Sequence, residues 1–240
     1  MENQLIDQTD EINLTESQIT TNSDKMEVVP LVEENEKNVD LPAKSSKTIL
    51  IALLMCVFIS QSLYMNVVAL LPQYAAEKFP HMSHFEVGLL MGIYPIAVLL
   101  SAPFIGDKLS YFGRKNVMTT GVLLMTVATL MFALGGYCDR FEPFYAVSFT
   151  ARLLQGVADA LVVTTVPSLI IIEYPRQQEL YLGYMGLVFG AGLTLGPLMG
   201  SLAYRWLNYT DTFYFFAAYM LVLGLISVFN IPSRLNDSEN

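Results

Sequence analysis

Six apolar segments, near residues 48–71, 85–106, 117–137, 144–168, 180–204 and 212–231, constrain this chain more than any other feature. Each has about the twenty residues that a helix needs to cross a hydrocarbon layer. Inside a bilayer the backbone must satisfy its own hydrogen bonds, which leaves helices or a closed barrel. Continuous apolar runs without strand-like alternation select helices. The fold class expected is therefore all-α, with six membrane spans joined by short turns, and the lipid bilayer is the first partner.

Charge is unevenly placed. Residues 1–47 hold eleven acids against Lys25, Lys37, Lys44 and Lys47, a net of −7, out of −9 for the whole chain. This stretch is rich in Glu, Asn, Thr and Ser with no sustained apolar period, so it predicts a disordered acidic tail before a membrane domain over 48–235 and a short tail over 236–240. It lacks the basic start and short apolar core of a cleaved signal peptide. The acidity belongs to the tail, and nothing suggests nucleic-acid binding. Cys56 and Cys138 belong to different apolar runs and suggest neither a disulfide framework nor a metal site. No nucleophile, phosphate-loop or metal-ligand motif is found, and His81 and His84 sit together between spans. Neither an enzyme nor a cofactor is expected.

Basic residues set the orientation. Lys44, Lys47, Lys108, Arg114, Lys115, Arg176 and Arg234 fall on one side, and Lys78, Arg140 and Arg205 on the other. The positive-inside bias then puts both termini in the cytosol. On that topology Asn208-Tyr-Thr210 is an acceptor pattern for glycosylation on the far side, in a loop too short for modification.

Two features concern the helices themselves. Gly186 and Gly190, then Gly192, Gly196 and Gly200, repeat every four residues and stack bare backbone along one helix side, where a neighbour can come close. Pro197 cannot donate to the carbonyl of Leu193, so a bend is expected there. A repeat is also visible. Ala102-Pro103-Phe-Ile-Gly106 matches Gly196-Pro197-Leu-Met-Gly200 at an offset of 94, and Leu71-Pro72 matches Val166-Pro167 at 95. The copies are three spans apart, so equivalent helices run in opposite directions, an inverted 3+3 arrangement of the kind secondary transporters use.

Polar chemistry concentrates on the fourth span. Arg152 lies about nine residues in from Pro143, roughly 14 Å at helical rise and thus near mid-membrane. A charge there costs on the order of 3 kcal/mol on insertion scales. Arg152, Gln155 and Asp159 share one helix face, which suits a polar pathway. Arg152 and Asp159 are two turns apart, about 10 Å, so Gln155 or water would have to link them. Arginine keeps its proton, leaving it to tune a nearby acid or hold an anionic group. Asp159 is the candidate proton carrier or cation counter-charge. Ser60, Gln61, Ser62 and Asn66 in the first span supply further polar groups. The alternative is structural: Arg152 bonded to carbonyls, Asp159 in a water cleft, and the first-span groups making interhelical bonds.

Three stretches resemble the major facilitator superfamily. Gly106-Asp-Lys-Leu-Ser110-Tyr111-Phe-Gly113-Arg114-Lys115 is similar to its loop signature between the second and third spans. Arg152-Leu-Leu-Gln155-Gly156 is similar to its fourth-span signature, and Gly192-x-x-x-Gly196-Pro197-x-x-Gly200 to the fifth-span signature of its antiporters. The resemblance implies the N-terminal six-helix half of a facilitator fold and proton-coupled alternating access for a small solute. It places Arg152 in proton coupling and makes Gly106, Gly113, Arg114 and Lys115 a cytosolic gating loop. That loop departs from the pattern, with Ser110 in place of the locking acid and Tyr111 in place of the following base, so its bases serve equally as a positive-inside anchor. Val67-Val68-Ala-Leu-Leu71-Pro72, with Gly190 to Gly200 and Tyr204, resembles the vesicular amine and polyamine branch, in a vesicular, endolysosomal or plasma membrane. Members that carry monoamines have an acid where this chain has Gln61. Six spans are half of the usual facilitator, which leaves three readings: a half that pairs with a second six-helix half, as a homo- or heterodimer; a truncated transporter; or a non-transporting subunit that keeps the scaffold.

The orientation makes a direct prediction. A cysteine introduced at residue 20 and one at residue 236 should each react with a membrane-impermeant maleimide only after the cytosolic face is opened. Labelling of either from outside sealed cells would refute the assignment.

Overall fold

In a computed structural model of the chain, residues 43–232 are described, with side chains from Lys47 onward. The predicted tails, 1–47 and 236–240, thus lie almost entirely outside the described residues. Six helices follow one another: α1 (Ala43–Lys78), α2 (His84–Phe112), α3 (Arg114–Gly135), α4 (Phe141–Glu173), α5 (Gln178–Trp206) and α6 (Tyr209–Phe229). All six are long and apolar enough to cross a membrane, and no strand occurs among the described residues. Most run several residues past the apolar segments, because a helix continues through Lys, Ser or Glu at its ends once polar side chains can reach water.

Local signals account for the boundaries. Ser83 begins α2 with a capping box: its hydroxyl accepts from the Glu86 N–H at 3.3 Å, and the Glu86 carboxylate accepts from the Ser83 N–H at 2.7 Å. Between α2 and α3 the chain reverses at Gly113, whose φ of 80° only glycine adopts without strain. Pro72, Pro103, Pro167 and Pro197 lie inside α1, α2, α4 and α5, none of which is interrupted. Pro72 and Pro167 therefore occupy corresponding helices of the two triplets α1–α3 and α4–α6, as do Pro103 and Pro197.

The core divides along the helix axes. One apolar cluster includes Leu53, Val57, Met118, Val122, Val162, Leu169 and Met220. The other includes Leu71, Phe79, Leu90, Phe132, Phe144 and Phe213. Between them, at the middle of α1 and α4, lies a layer of buried polar groups: Ser60, Gln61, Ser62, Asn66, Arg152, Gln155 and Asp159. The two least buried helices are α2 and α5, again equivalent members of the triplets.

Glycines bring α5 onto this layer. A Cβ at Gly192 would lie 2.8 Å from the Gln61 Cβ and 2.9 Å from the Phe58 carbonyl oxygen; at Gly196 it would lie 2.7 Å from the Ser62 carbonyl oxygen; at Gly200 it would run into the Asn66 amide. The row so packs against successive turns of α1, whereas Gly186 and Gly190 meet nothing within 4 Å. Lipid tails are as apolar as leucine, so van der Waals fit and hydrogen bonds have to hold such helices together.

Gly196→Leu should therefore push α5 off α1 and destabilise the purified protein by about 1–3 kcal/mol, the usual cost of overpacking. Gly190→Ala, in open space, should leave the thermal midpoint unchanged. Equal midpoints for both variants would count against the α1–α5 contact.

Candidate functional site

Asp159 projects from α4 into the polar layer and is 4% exposed. Its carboxylate accepts from three side chains: the Ser60 hydroxyl and the Gln61 amide of α1, the latter at 3.0 Å, and the Tyr94 hydroxyl of α2 at 2.6 Å. Three helices thus meet on one acid. Tyr94 reaches it because α2 and α4 approach closely one turn away, at Gly156, where a Cβ would lie 2.6 Å from the Tyr94 carbonyl oxygen and 2.7 Å from the Ala97 Cβ. The Tyr94 ring stacks on Tyr64 of α1, centroids 4.2 Å apart, which fixes the direction of its hydroxyl.

The donors differ in what they permit. A hydroxyl can turn and accept a proton as readily as it donates one, while an amide nitrogen can only donate. If Asp159 is protonated on Oδ2, the Tyr94 hydroxyl can turn to accept that proton, while Oδ1 goes on accepting from the Ser60 hydroxyl and the Gln61 amide. The cluster is chemically suited to an acid that changes protonation state in place.

Arg152 is two turns away on the same α4 face and fully buried. Its Nη1 donates to Gln155 Oε1 at 3.1 Å and its Nη2 lies 3.1 Å from Met91 Sδ. The guanidinium carbon is 5.7 Å from the Tyr64 ring centre, 5.9 Å from Tyr94 and 6.0 Å from Phe132, so three aromatic faces attract the charge. Among the described residues it bonds no backbone carbonyl. Gln155 joins Arg152 and not Asp159; Tyr94, stacked on Tyr64, donates to the acid with its hydroxyl and lies against the guanidinium with its ring.

The remaining sequence candidates separate. Gln61 belongs to the acid cluster. Asn66 is buried opposite Gly200, and neither atom of its amide has a hydrogen-bond partner. The loop residues lie far along the chain's helices from this layer: Arg114 Nε donates to the Ser168 hydroxyl at 3.0 Å, Lys115 Nζ donates to the Ile231 carbonyl oxygen at 2.6 Å, and Gly106 faces Thr164 on α4. The bases therefore tie α3 to α4 and to the residues after α6. Gly192, Gly196 and Gly200 form the α5 contact described above. Sequence reasoning passed over Tyr94, Tyr64, Met91 and Phe132, since aromatic residues and Met in apolar spans look like ordinary core.

Comparison with known proteins fits this architecture. The family model of the Major Facilitator Superfamily matches residues 53–239. This chain belongs to the major facilitator superfamily. Among its relatives, multidrug resistance protein 2 of Bacillus subtilis (strain 168) is 26% identical over 194 residues, covering 80% of this chain and 46% of that protein. The synaptic vesicular amine transporter of Bos taurus is 32% identical over 154 residues, covering 62% of this chain and 28% of that one. The inward-open structure of the xylose transporter XylE from E. coli shares the fold with a TM-score of 0.57 at 14% identity, over 79% of this chain and 49% of its own. This facilitator chain therefore spans less than half the length of the relatives it matches.

Removing one donor from the buried carboxylate should be costly. Tyr94→Phe is expected to destabilise the protein by about 1–3 kcal/mol, the usual effect of a lost bond to a buried charged group, while Tyr64→Phe, which keeps the ring stack, should leave the thermal midpoint near that of the parent. Equal midpoints for the two variants would show that the Tyr94 bond adds nothing.

Proposed function

We propose that the chain is the six-helix half of a secondary transporter that moves a small solute by proton-coupled alternating access, with both termini cytosolic. The observation that carries the coupling is the buried Asp159 carboxylate at mid-span, held by two hydroxyls that can reverse their hydrogen bonds. Antiport of an amine or polyamine is the favoured substrate reading. It is supported by relatives named as multidrug resistance and vesicular amine transport proteins, and by the position of the acid. Gln61 stands where the resembled monoamine carriers have an acid, and its amide donates to Asp159, so a negative charge is present at that point of the interior from across the α1–α4 contact. A second six-helix half, in a homo- or heterodimer, would complete the fold that the relatives build in one longer chain.

A second reading is a truncated or non-transporting membrane subunit that retains the facilitator scaffold. One observation favours it: every oxygen of Asp159 already has a donor, as in an acid whose task is to hold helices together.

Uptake of amines and polyamines into proteoliposomes, with and without an imposed pH gradient, separates the readings. The parent should accumulate substrate when the gradient is applied, Asp159→Asn should lose that dependence, and Arg152→Lys should weaken it less completely, since a charge remains without the planar fork. Gradient-driven uptake by Asp159→Asn equal to the parent's would make the acid structural. A parent that moves no solute, reconstituted with any partner that co-purifies, would favour the subunit.

A further inference from the structure

Arg152 is a buried cation without a counter-ion. The ion pairs Lys78–Asp139 and Lys108–Asp107 do not include it, and among the described residues it forms no ion pair of its own. Asp159 is engaged with Ser60, Gln61 and Tyr94 instead. Aromatic faces attract a guanidinium but leave its N–H groups without acceptors, and a thioether sulfur is a weak one. Burying a charge is tolerated where it is paired and hydrogen-bonded.

Two donors at this charge lack acceptors. The Arg152 Nε–H has no acceptor, and because Gln155 Oε1 is used by Arg152 Nη1, the Gln155 Nε2 group is left as a donor, also unpartnered. Both residues are fully buried. Gln155 thus turns its acceptor end to the arginine and leaves its donor end free beside the same positive charge. Other buried polar groups of the domain are also unpartnered. Ser148, one turn before Arg152 on the same α4 face, Asn66 on α1, and Tyr209 and Thr212 in the first turn of α6 each carry buried side-chain atoms without a partner. From Arg152 the line of contacts to α6 runs through Phe132 and Phe213 to Tyr209, with ring centres 5.4 Å and 4.8 Å apart.

We propose that Arg152 and Gln155 bind a monovalent anion, either a free halide or the carboxylate group of an organic solute. An unpartnered guanidinium N–H, an unpartnered amide N–H on the adjacent turn and a full positive charge are the chemistry that recognises a halide or one carboxylate oxygen. Bound there, the anion supplies the counter-charge that Asp159 does not, in an environment where charge-assisted bonds are strong. The protein then holds two distinct polar subsites on one helix face: an acid at Asp159 for a proton or a cation, and a base at Arg152 for an anion. For a transported solute this selects an amphoteric molecule, or a cation accompanied by a halide. The inference rests on the reading of the α4 face as a ligand pathway.

Equilibrium binding to the purified full chain tests it without requiring transport. Radiolabelled chloride and radiolabelled benzoate are titrated in separate arms, at constant ionic strength, in a buffer of bulky sulfonates. Saturable binding of one or both is expected, chloride alone marking a halide site and benzoate alone a carboxylate site. Gln155→Met, which preserves length and removes the donor, should weaken binding at least about tenfold; Arg152→Lys should retain weakened binding and Arg152→Gln none. Should Arg152→Gln fail to fold, Gln155→Met and Arg152→Lys decide the matter. Absence of saturable binding of either anion to folded parent, or affinity of Gln155→Met equal to the parent's, overturns the proposal. Anion binding by a chain that moves nothing would refute the transport reading alone, and gradient-driven amine uptake with no anion binding would refute only the anion site.

Discussion

The buried Asp159 carboxylate governs the rest of the structure. An ionised acid at the centre of a membrane domain is costly unless donors replace the water it has lost. Here they come from α1 and α2, so the acid can be accommodated only when three helices are correctly placed. Ser60, Gln61 and Tyr94 bind the same group, and displacing any one of these helices leaves the acid under-bonded. The polar layer specifies the helix arrangement for the same reason that it is expensive. The apolar clusters on either side supply the packing and exclude water from it.

Bare backbone makes that arrangement possible. A hydrogen bond between side chains of different helices needs axes close enough for a short side chain to span the gap. Gly156 lets α2 settle on α4 beside Asp159, and Gly192, Gly196 and Gly200 let α5 settle on α1 directly behind Gln61 and Asn66. The glycine-containing signatures of α4 and α5 consequently serve the site as well as the fold, each removing a Cβ at the contact that sets a polar side chain. In α4 one short stretch combines both tasks: Arg152 and Gln155 supply charge and hydrogen bonds, and Gly156 supplies proximity.

Arg152 and Asp159 illustrate how a single face can carry opposite charges without pairing. The helical rise keeps them two turns apart, and the stacked Tyr64 and Tyr94 rings stand between them, one hydroxyl on the acid and both faces toward the guanidinium. Moving Tyr94 would disturb a hydrogen bond at one end and a cation–π contact at the other.

Some of this was legible from residues alone. Six apolar runs of bilayer length require six helices, because hydrocarbon provides no partner for an open backbone, and the Pro and Gly spacings disclosed two related triplets. The shared face of Arg152, Gln155 and Asp159 followed from helical periodicity. Periodicity could not say which neighbours those side chains meet, since that depends on how helices far apart in sequence are set against each other. Only the tertiary structure joined Asp159 to residues 98 and 99 positions away on α1, turned Gln155 toward the arginine rather than the acid, and converted Tyr64, Tyr94, Met91 and Phe132 from apparent core into the surroundings of a charge. It also divided the glycine row, seating Gly192, Gly196 and Gly200 on α1 and leaving Gly186 and Gly190 open, because a helix that crosses its neighbour can touch it over only part of its length.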